Sequence, residues 1–226
     1  LDGKVQDGKR HAQRDRTELS DLVGWDSSVT SHGRDMNKRS TKENTMIDLM
    51  DTIKRRRSIR KYEDKPVSTE ALSQVLEAIR WAPSWANCQC WEVVVVTDKT
   101  IKEKLRETLP PKGNPAFKAM VQAPVVLVLC AKTGVSGYYK GAETTKFGDW
   151  FMYDLGIATQ NLCLAAHALG LGTVIVGLFD HEKAGRVINL PVGYELVTMI
   201  PLGHPAKIGS APKRRSVDDF AHDNIF

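Results

Sequence analysis

Two stretches of this chain concentrate side chains able to do chemistry. The first, KRRRSIRKY at residues 54–62, packs guanidinium groups around a hydroxyl. A phosphate is best held by planar guanidinium forks with a hydroxyl or backbone donor close by. Arg56, Arg57, Ser58 and Arg60 offer that set. The plainer alternative is cationic decoration of a helix C-terminus, which the helix dipole favours. The second stretch, WAPSWANCQCW at residues 81–91, alternates two amides with two thiols among three tryptophans. Asn87 and Gln89 can pair with the donor–acceptor edge of a flat heterocycle. A further basic group, PKRRS at residues 212–216, lies near the C-terminus.

The cysteines point away from familiar metal and redox motifs. Cys88 and Cys90 form C-x-C, not the C-x-x-C of redox pairs and zinc knuckles, and no second matching pair appears. A disulfide across one intervening residue would be strained. Cys130 and Cys163 sit in apolar segments, where free cysteine packs as a small hydrophobe. His167, His181 and His204 are isolated and are expected to be structural, and no metal site is expected.

These stretches must be positioned by a folded body that the sequence places from Met46 to Phe226. Residues 1–45 are rich in charge, Ser, Thr, Gly and Asp and hold few apolar residues. They read as a flexible leader or tail, with Met46 the expected native start, or as an arm that orders against the body or a partner. Beyond them, amphipathic helices are expected from Met46 and over residues 68–82. Strands are expected at 91–98, 123–132, 172–180 and 195–205, and helices at 99–109, 114–122 and 181–190. A long, mostly apolar helix over 149–170, closed by Gly170, is the expected spine. Strict β-α-β alternation is missing and no G-x-G-x-x-G follows a strand, so the fold class is α+β and a dinucleotide-binding wrap is excluded.

The 226 residues can bury a proper core, and 42% hydrophobic with 26% charged residues is ordinary for a globular protein. The net charge of +5 comes from basic residues interleaved with acids, which argues for a solvated surface and against a nucleic-acid partner. The longest apolar runs are strand-sized and the N-terminus has no apolar signal region. No membrane association and a cytoplasmic location are therefore expected.

RRSIRKYEDKPV followed by APSWANCQCWEVVVV resembles the nitroreductase family of FMN-dependent oxidoreductases. The likeness continues through the long apolar helix, GTVIVGLFD and IPLGHPA to PKRRS, and so covers residues 46–219. It implies an α+β sandwich, a mainly antiparallel sheet flanked by helices. It also implies a domain-swapped homodimer with an extended C-terminal arm and FMN in the dimer interface. Carried over position by position, Arg56, Arg57 and Ser58 belong to the first FMN-contacting motif, and Arg60 to the basic position near flavin N1 and the C2 carbonyl. Asn87 matches the asparagine that pairs with the pyrimidine edge, with Gln89 in the same motif and Pro83, Ser84 and Trp85 on the neighbouring wall. Val176 and Gly177 match the pair whose backbone donors face N5, and Lys213 and Arg215 the tail pair that reaches the phosphate. One departure stands out: the proline usual after the glutamine is Cys90 here.

The activity implied is ping-pong hydride transfer. FMN takes hydride from NADH or NADPH and passes electrons to a small-molecule acceptor such as a nitroaromatic or quinone. No dedicated acid–base residue is expected, since solvent supplies protons. A flavin-fragmenting member of the fold is one alternative, and a flavin-binding protein without turnover is another. Dehalogenation of iodotyrosine is set aside, because no Glu in the chain has a Tyr four residues later.

Overall fold

The computed structural model describes residues 48–226. The reading of residues 1–45 as a leader lies outside the described residues, as do the first two residues of the expected N-terminal helix.

The organising element is strand β2 (Val125–Lys132), which runs through the middle of the protein. Its alternate side chains feed two different cores. Val126, Val128 and Cys130 enter one, while Val125, Leu127, Leu129 and Ala131 enter the other. Strict alternation with both faces apolar means that the strand is covered on both sides. β1 (Trp91–Val96) pairs antiparallel with one edge of β2. β6 (Tyr194–Gly203) pairs antiparallel with the other, with a register shift between Leu129 and Cys130. β5 (Gly172–Thr173) extends β6, which completes the order β1-β2-β6-β5.

One face of this sheet carries α2 (Thr69–Arg80) and α5 (Phe151–Ala168), which bury Val75, Ile79, Leu155 and Leu162 against it. The other carries α3 (Lys99–Arg106), α4 (Ala119–Gln122) and α6 (His181–Val187), through Leu105, Met120 and Ala184. Each fully buried Leu contributes about 1.5–3 kcal/mol. Ser68, Asp98 and Asp180 cap α2, α3 and α6 through side-chain oxygens that accept backbone N–H groups. A short helix α1 (Leu49–Arg55), capped by Asp48, precedes the first basic stretch. The expected α+β sandwich with a mainly antiparallel sheet is what the chain adopts.

Two expected elements are largely interrupted. Only Ala119–Gln122 of the expected helix over 114–122 is helical. The expected strand over 172–180 is ladder only at Gly172–Thr173, with one further bridge from Val176 to Met199. Beyond that bridge the chain leaves the sheet toward the Asp180 cap of α6. A small hairpin of β3 (Tyr138–Tyr139) and β4 (Ala142–Glu143) fills the stretch between β2 and α5, for which no element was expected.

Candidate active site

The segment from Ser58 to Tyr62 is strand-like without belonging to a named strand. The Ile59 N–H donates to Thr173 O at 2.8 Å, and Ser58 makes a parallel bridge to Thr173. Ile59 and Tyr62 are buried while Ser58, Arg60 and Lys61 are exposed. The Tyr62 hydroxyl donates to Ile59 O at 2.8 Å and Pro201 O at 3.0 Å. Burial drives its pKa upward, so it remains a neutral donor. The segment lies so close to the sheet that side chains are excluded beneath it. A Cβ on Gly172 would stand 2.5 Å from Ile59 Cγ1, and one on Gly203 would stand 3.0 Å from Tyr62 Cδ1.

This segment separates the arginines into two environments. Arg55, Arg56 and Arg57 line a cavity of about 100 Å³ that also takes in His167 and Thr173, over an apolar floor of Ile59, Cys163 and Leu171. Arg57 is braced there, with Nη1 donating to Lys54 O at 2.6 Å and Arg56 O at 2.8 Å. Three cations around a space that suits a phosphate group fit the phosphate end of a nucleotide. His167, expected to be structural, therefore faces the same space as the arginines. Burial, then Arg56 and Arg57, hold its pKa below the ordinary range. Arg60 instead lines a more open cavity of about 450 Å³ with Lys61, Asn114, Phe117 and Lys118.

The second stretch folds as a tight loop. Ala86, Asn87 and Gln89 all have positive φ, at 44°, 54° and 48°. Asn tolerates this region, whereas Ala and Gln are strained there by about 1–3 kcal/mol each. Ser84 Oγ holds the turn by accepting the Gln89 N–H at 2.9 Å. The conformation turns Asn87 and Gln89 outward, both exposed, with Gln89 Nε2 donating to Asn87 Oδ1 at 3.3 Å. Pro83 is also exposed and Trp85 is half-buried. Trp85 joins an aromatic cluster: its ring lies 5.6 Å from Trp150, which lies 5.1 Å from Tyr153.

The group that fastens this loop is one that the sequence reading missed. Asp154, buried in the first turn of α5, accepts the Trp85 N–H at 3.1 Å through Oδ1 and the Ser136 hydroxyl at 2.7 Å through Oδ2. The thiols of Cys88 and Cys90 also donate to Oδ2, at 3.6 and 3.7 Å. Burial, with Cys88 and Asp154 nearby, pushes the Cys90 thiol well above its ordinary pKa, so it stays protonated. The one sequence signal was an acidic residue in the first turn of an otherwise apolar helix.

One donor expectation needs correcting. The Val176 N–H is committed to Met199 O at 2.9 Å, so it has no proton to offer a ligand. Val176 is buried and Gly177 is exposed, which leaves Gly177 as the available backbone donor of that pair. Lys213 and Arg215 lie on an exposed tail and line neither arginine cavity. Arg215 bonds locally to Asp219 O and stacks 5.8 Å from Phe220. Neither cavity includes a residue of the 83–89 loop.

Fold and motif order together define a class of flavoenzyme, and direct comparison agrees. Residues 53–204 match the model of the nitroreductase family. The chain is 31% identical over 195 residues to the FMN reductase [NAD(P)H] of Bacillus subtilis, covering 80% of this chain and 75% of that one. It is 31% identical over 191 residues to an NADH dehydrogenase of Thermus thermophilus, covering 73% and 90%. Among solved structures, an FMN-dependent nitroreductase of Clostridium difficile R20291 superposes with a TM-score of 0.63 at 27% identity, covering 79% of this chain and all (100%) of that one. The protein belongs to the nitroreductase family.

Proposed function

We propose that this protein is an FMN-dependent NAD(P)H oxidoreductase that reduces nitroaromatic, quinone or similar small acceptors and works as a homodimer. The observation that carries the reading is the cavity ringed by Arg55, Arg56 and Arg57, set beside a strand-like segment that presents Ser58 and Arg60 outward. When bound, FMN supplies a two-electron carrier between the nicotinamide donor and the acceptor. Arg56 and Arg57 hold the phosphate, with Ser58 adding a hydroxyl and Lys213 and Arg215 reaching in from the tail. Asn87 and Gln89 present amides to the polar edge of the ring, with Pro83, Ser84 and Trp85 as its wall. Gly177 offers its N–H. Arg60 places fixed positive charge where reduction adds negative charge.

The dimer is supported by apolar surface that the single chain leaves uncovered. Leu49 and Met50 on α1 are 64% and 53% exposed, and Met152 and Tyr153 on α5 are 60% and 61% exposed. Patches of this kind mark interaction surfaces. The tail over residues 206–226 is exposed throughout, as suits an arm that wraps a second copy. Among the described residues no helix is long and apolar enough to cross a membrane. Four free cysteines suit a reducing cytoplasm.

Spectroscopy of the purified protein tests this reading. A flavin spectrum bleached by NADH or NADPH and restored by an acceptor is expected, with FMN released at about one per chain. Release of FAD, or no flavin after reconstitution with FMN, overturns it. A flavin spectrum that NAD(P)H does not bleach leaves a binding protein without turnover.

A further inference from the structure

Cys88, Cys90 and Asp154 form a cluster that the proposed redox chemistry does not use. Their ligand atoms all lie within 4.8 Å of one another. Both thiols converge on the same carboxylate oxygen, Asp154 Oδ2, at 3.6 and 3.7 Å. A tetrahedral zinc ion with Zn–S of about 2.3 Å and Zn–O of about 2.0 Å would set each S···O separation near ~3.5 Å. The two observed S···O separations are therefore close to those of two thiolates and a carboxylate oxygen sharing one ion. The carboxylate is also held by the Ser136 hydroxyl, which donates to that same oxygen at 2.7 Å, and by the Trp85 N–H, 3.1 Å from Oδ1. Outer partners of this kind hold metal ligands in place. Cys90 and Asp154 are buried, and half-buried Cys88 gives an ion its entry.

We infer that Cys88, Cys90 and Asp154 form a binding site for a soft divalent cation of the zinc and cadmium type, one per chain. Binding replaces two protons, one lost to solvent from each thiol, and forms two metal–sulfur bonds and one metal–oxygen bond with no electron transferred. A fourth position is left on the Cys88 side for water. Sequence spacing hides the site because only cysteine and histidine neighbours suggest themselves, whereas the third ligand comes from α5, 64 residues beyond Cys90. The inference does not depend on the flavin. An ion here would clamp the turn that carries Asn87 and Gln89 onto α5.

Titration of the reduced full-length protein with Cd²⁺ tests it, read as the thiolate-to-cadmium charge-transfer band in difference spectra, with flavin content measured in parallel. The expected result is saturation at one Cd²⁺ per chain. Cys88→Ser and Cys90→Ser should each lose the band, and Ser136→Ala should weaken binding by about tenfold. The chain has 4 cysteines in all, so Cys130→Ser, which should keep the band, is the control. Cys88 is half-buried, so Cys88→Ser should fold even if the buried Cys90→Ser does not. No band at equimolar Cd²⁺, or a band that survives Cys88→Ser unchanged, overturns the site.

Discussion

The backbone N–H of Trp85 meets the carboxylate of Asp154, 3.1 Å from Oδ1 and 3.2 Å from Oδ2, across 69 residues of chain. The loop it closes holds three non-glycine residues at positive φ, which would relax without an anchor. Asp154 thus converts a strained turn into a fixed platform for Asn87 and Gln89.

Removing that carboxylate should cost stability as well as binding. Asp154→Ala leaves the Trp85 N–H and the Ser136 hydroxyl without their acceptor, at about 1–3 kcal/mol for each group left buried. We expect a total loss of about 2–4 kcal/mol, read as a lower urea midpoint with an unchanged slope. Asp154→Asn keeps one acceptor oxygen and should lose less. An unaltered midpoint in Asp154→Ala would show that the loop is held by other means.

The central strands and the long helix were legible because burial on both faces leaves an unbroken apolar run, as in VVLVLCA, and because Gly170 closes α5 at a φ of +74°. The strand expected over 172–180 was legible only in part. Its β-branched residues satisfy strand propensity whether or not a neighbour pairs with them, and pairing is decided by tertiary context. The Ser58–Tyr62 segment was visible as a cluster of types, but its separation of Arg57 from Arg60 depends on Tyr62 bonding to Pro201, 139 residues away. Asp154 was invisible as a site residue because local pattern contains no hint of which distant N–H a buried carboxylate will accept.

Charge placed on the uncovered apolar face of α5 should break the proposed dimer. Met152 and Tyr153 border an open groove that runs past Gly156, where the missing side chain admits a close partner. Met152→Glu should shift the molecular mass from dimer to monomer in light scattering and weaken FMN binding with it. A Met152→Glu protein that stays dimeric with full flavin would place the interface elsewhere.

His167 should make both stability and cofactor affinity depend on pH. Burial and the neighbouring Arg56, Arg57 and Arg55 lower its folded pKa, with Asp51 acting in the opposite sense. The unfolded chain then binds more protons, so the flavin-free protein should lose stability as pH falls through the unfolded value of about 6.5. A phosphate in the cavity reverses the sign by favouring imidazolium. FMN should therefore bind more tightly at pH 6.5 than at pH 7.5, while riboflavin, which lacks the phosphate, should show no such gain. Thermal melts and flavin-fluorescence titrations of His167→Gln, which should flatten both profiles, check the assignment.

Arg57 and Arg60 should separate affinity from potential. Arg57 lines the smaller cavity and is braced on Lys54 O and Arg56 O, so Arg57→Ala should remove the proposed phosphate fork and loosen the end of α1. A charge-assisted hydrogen bond is worth about 1.5–3 kcal/mol, so FMN affinity should fall roughly 10- to 100-fold with little change in midpoint potential. Arg60 is exposed, makes one side-chain hydrogen bond among the described residues, to Ser58 O at 3.4 Å, and lines the other cavity. At ~4 Å from developing negative charge, a guanidinium contributes up to ~4 kcal/mol at an effective dielectric near 20. Water entering the truncated site offsets much of that, leaving about 1–2 kcal/mol over two electrons, or a midpoint roughly 20–40 mV lower in Arg60→Ala. Redox titration of both variants beside the parent decides between them. An unmoved potential in Arg60→Ala together with a shifted one in Arg57→Ala would exchange the two roles and bring the flavin ring to the smaller cavity.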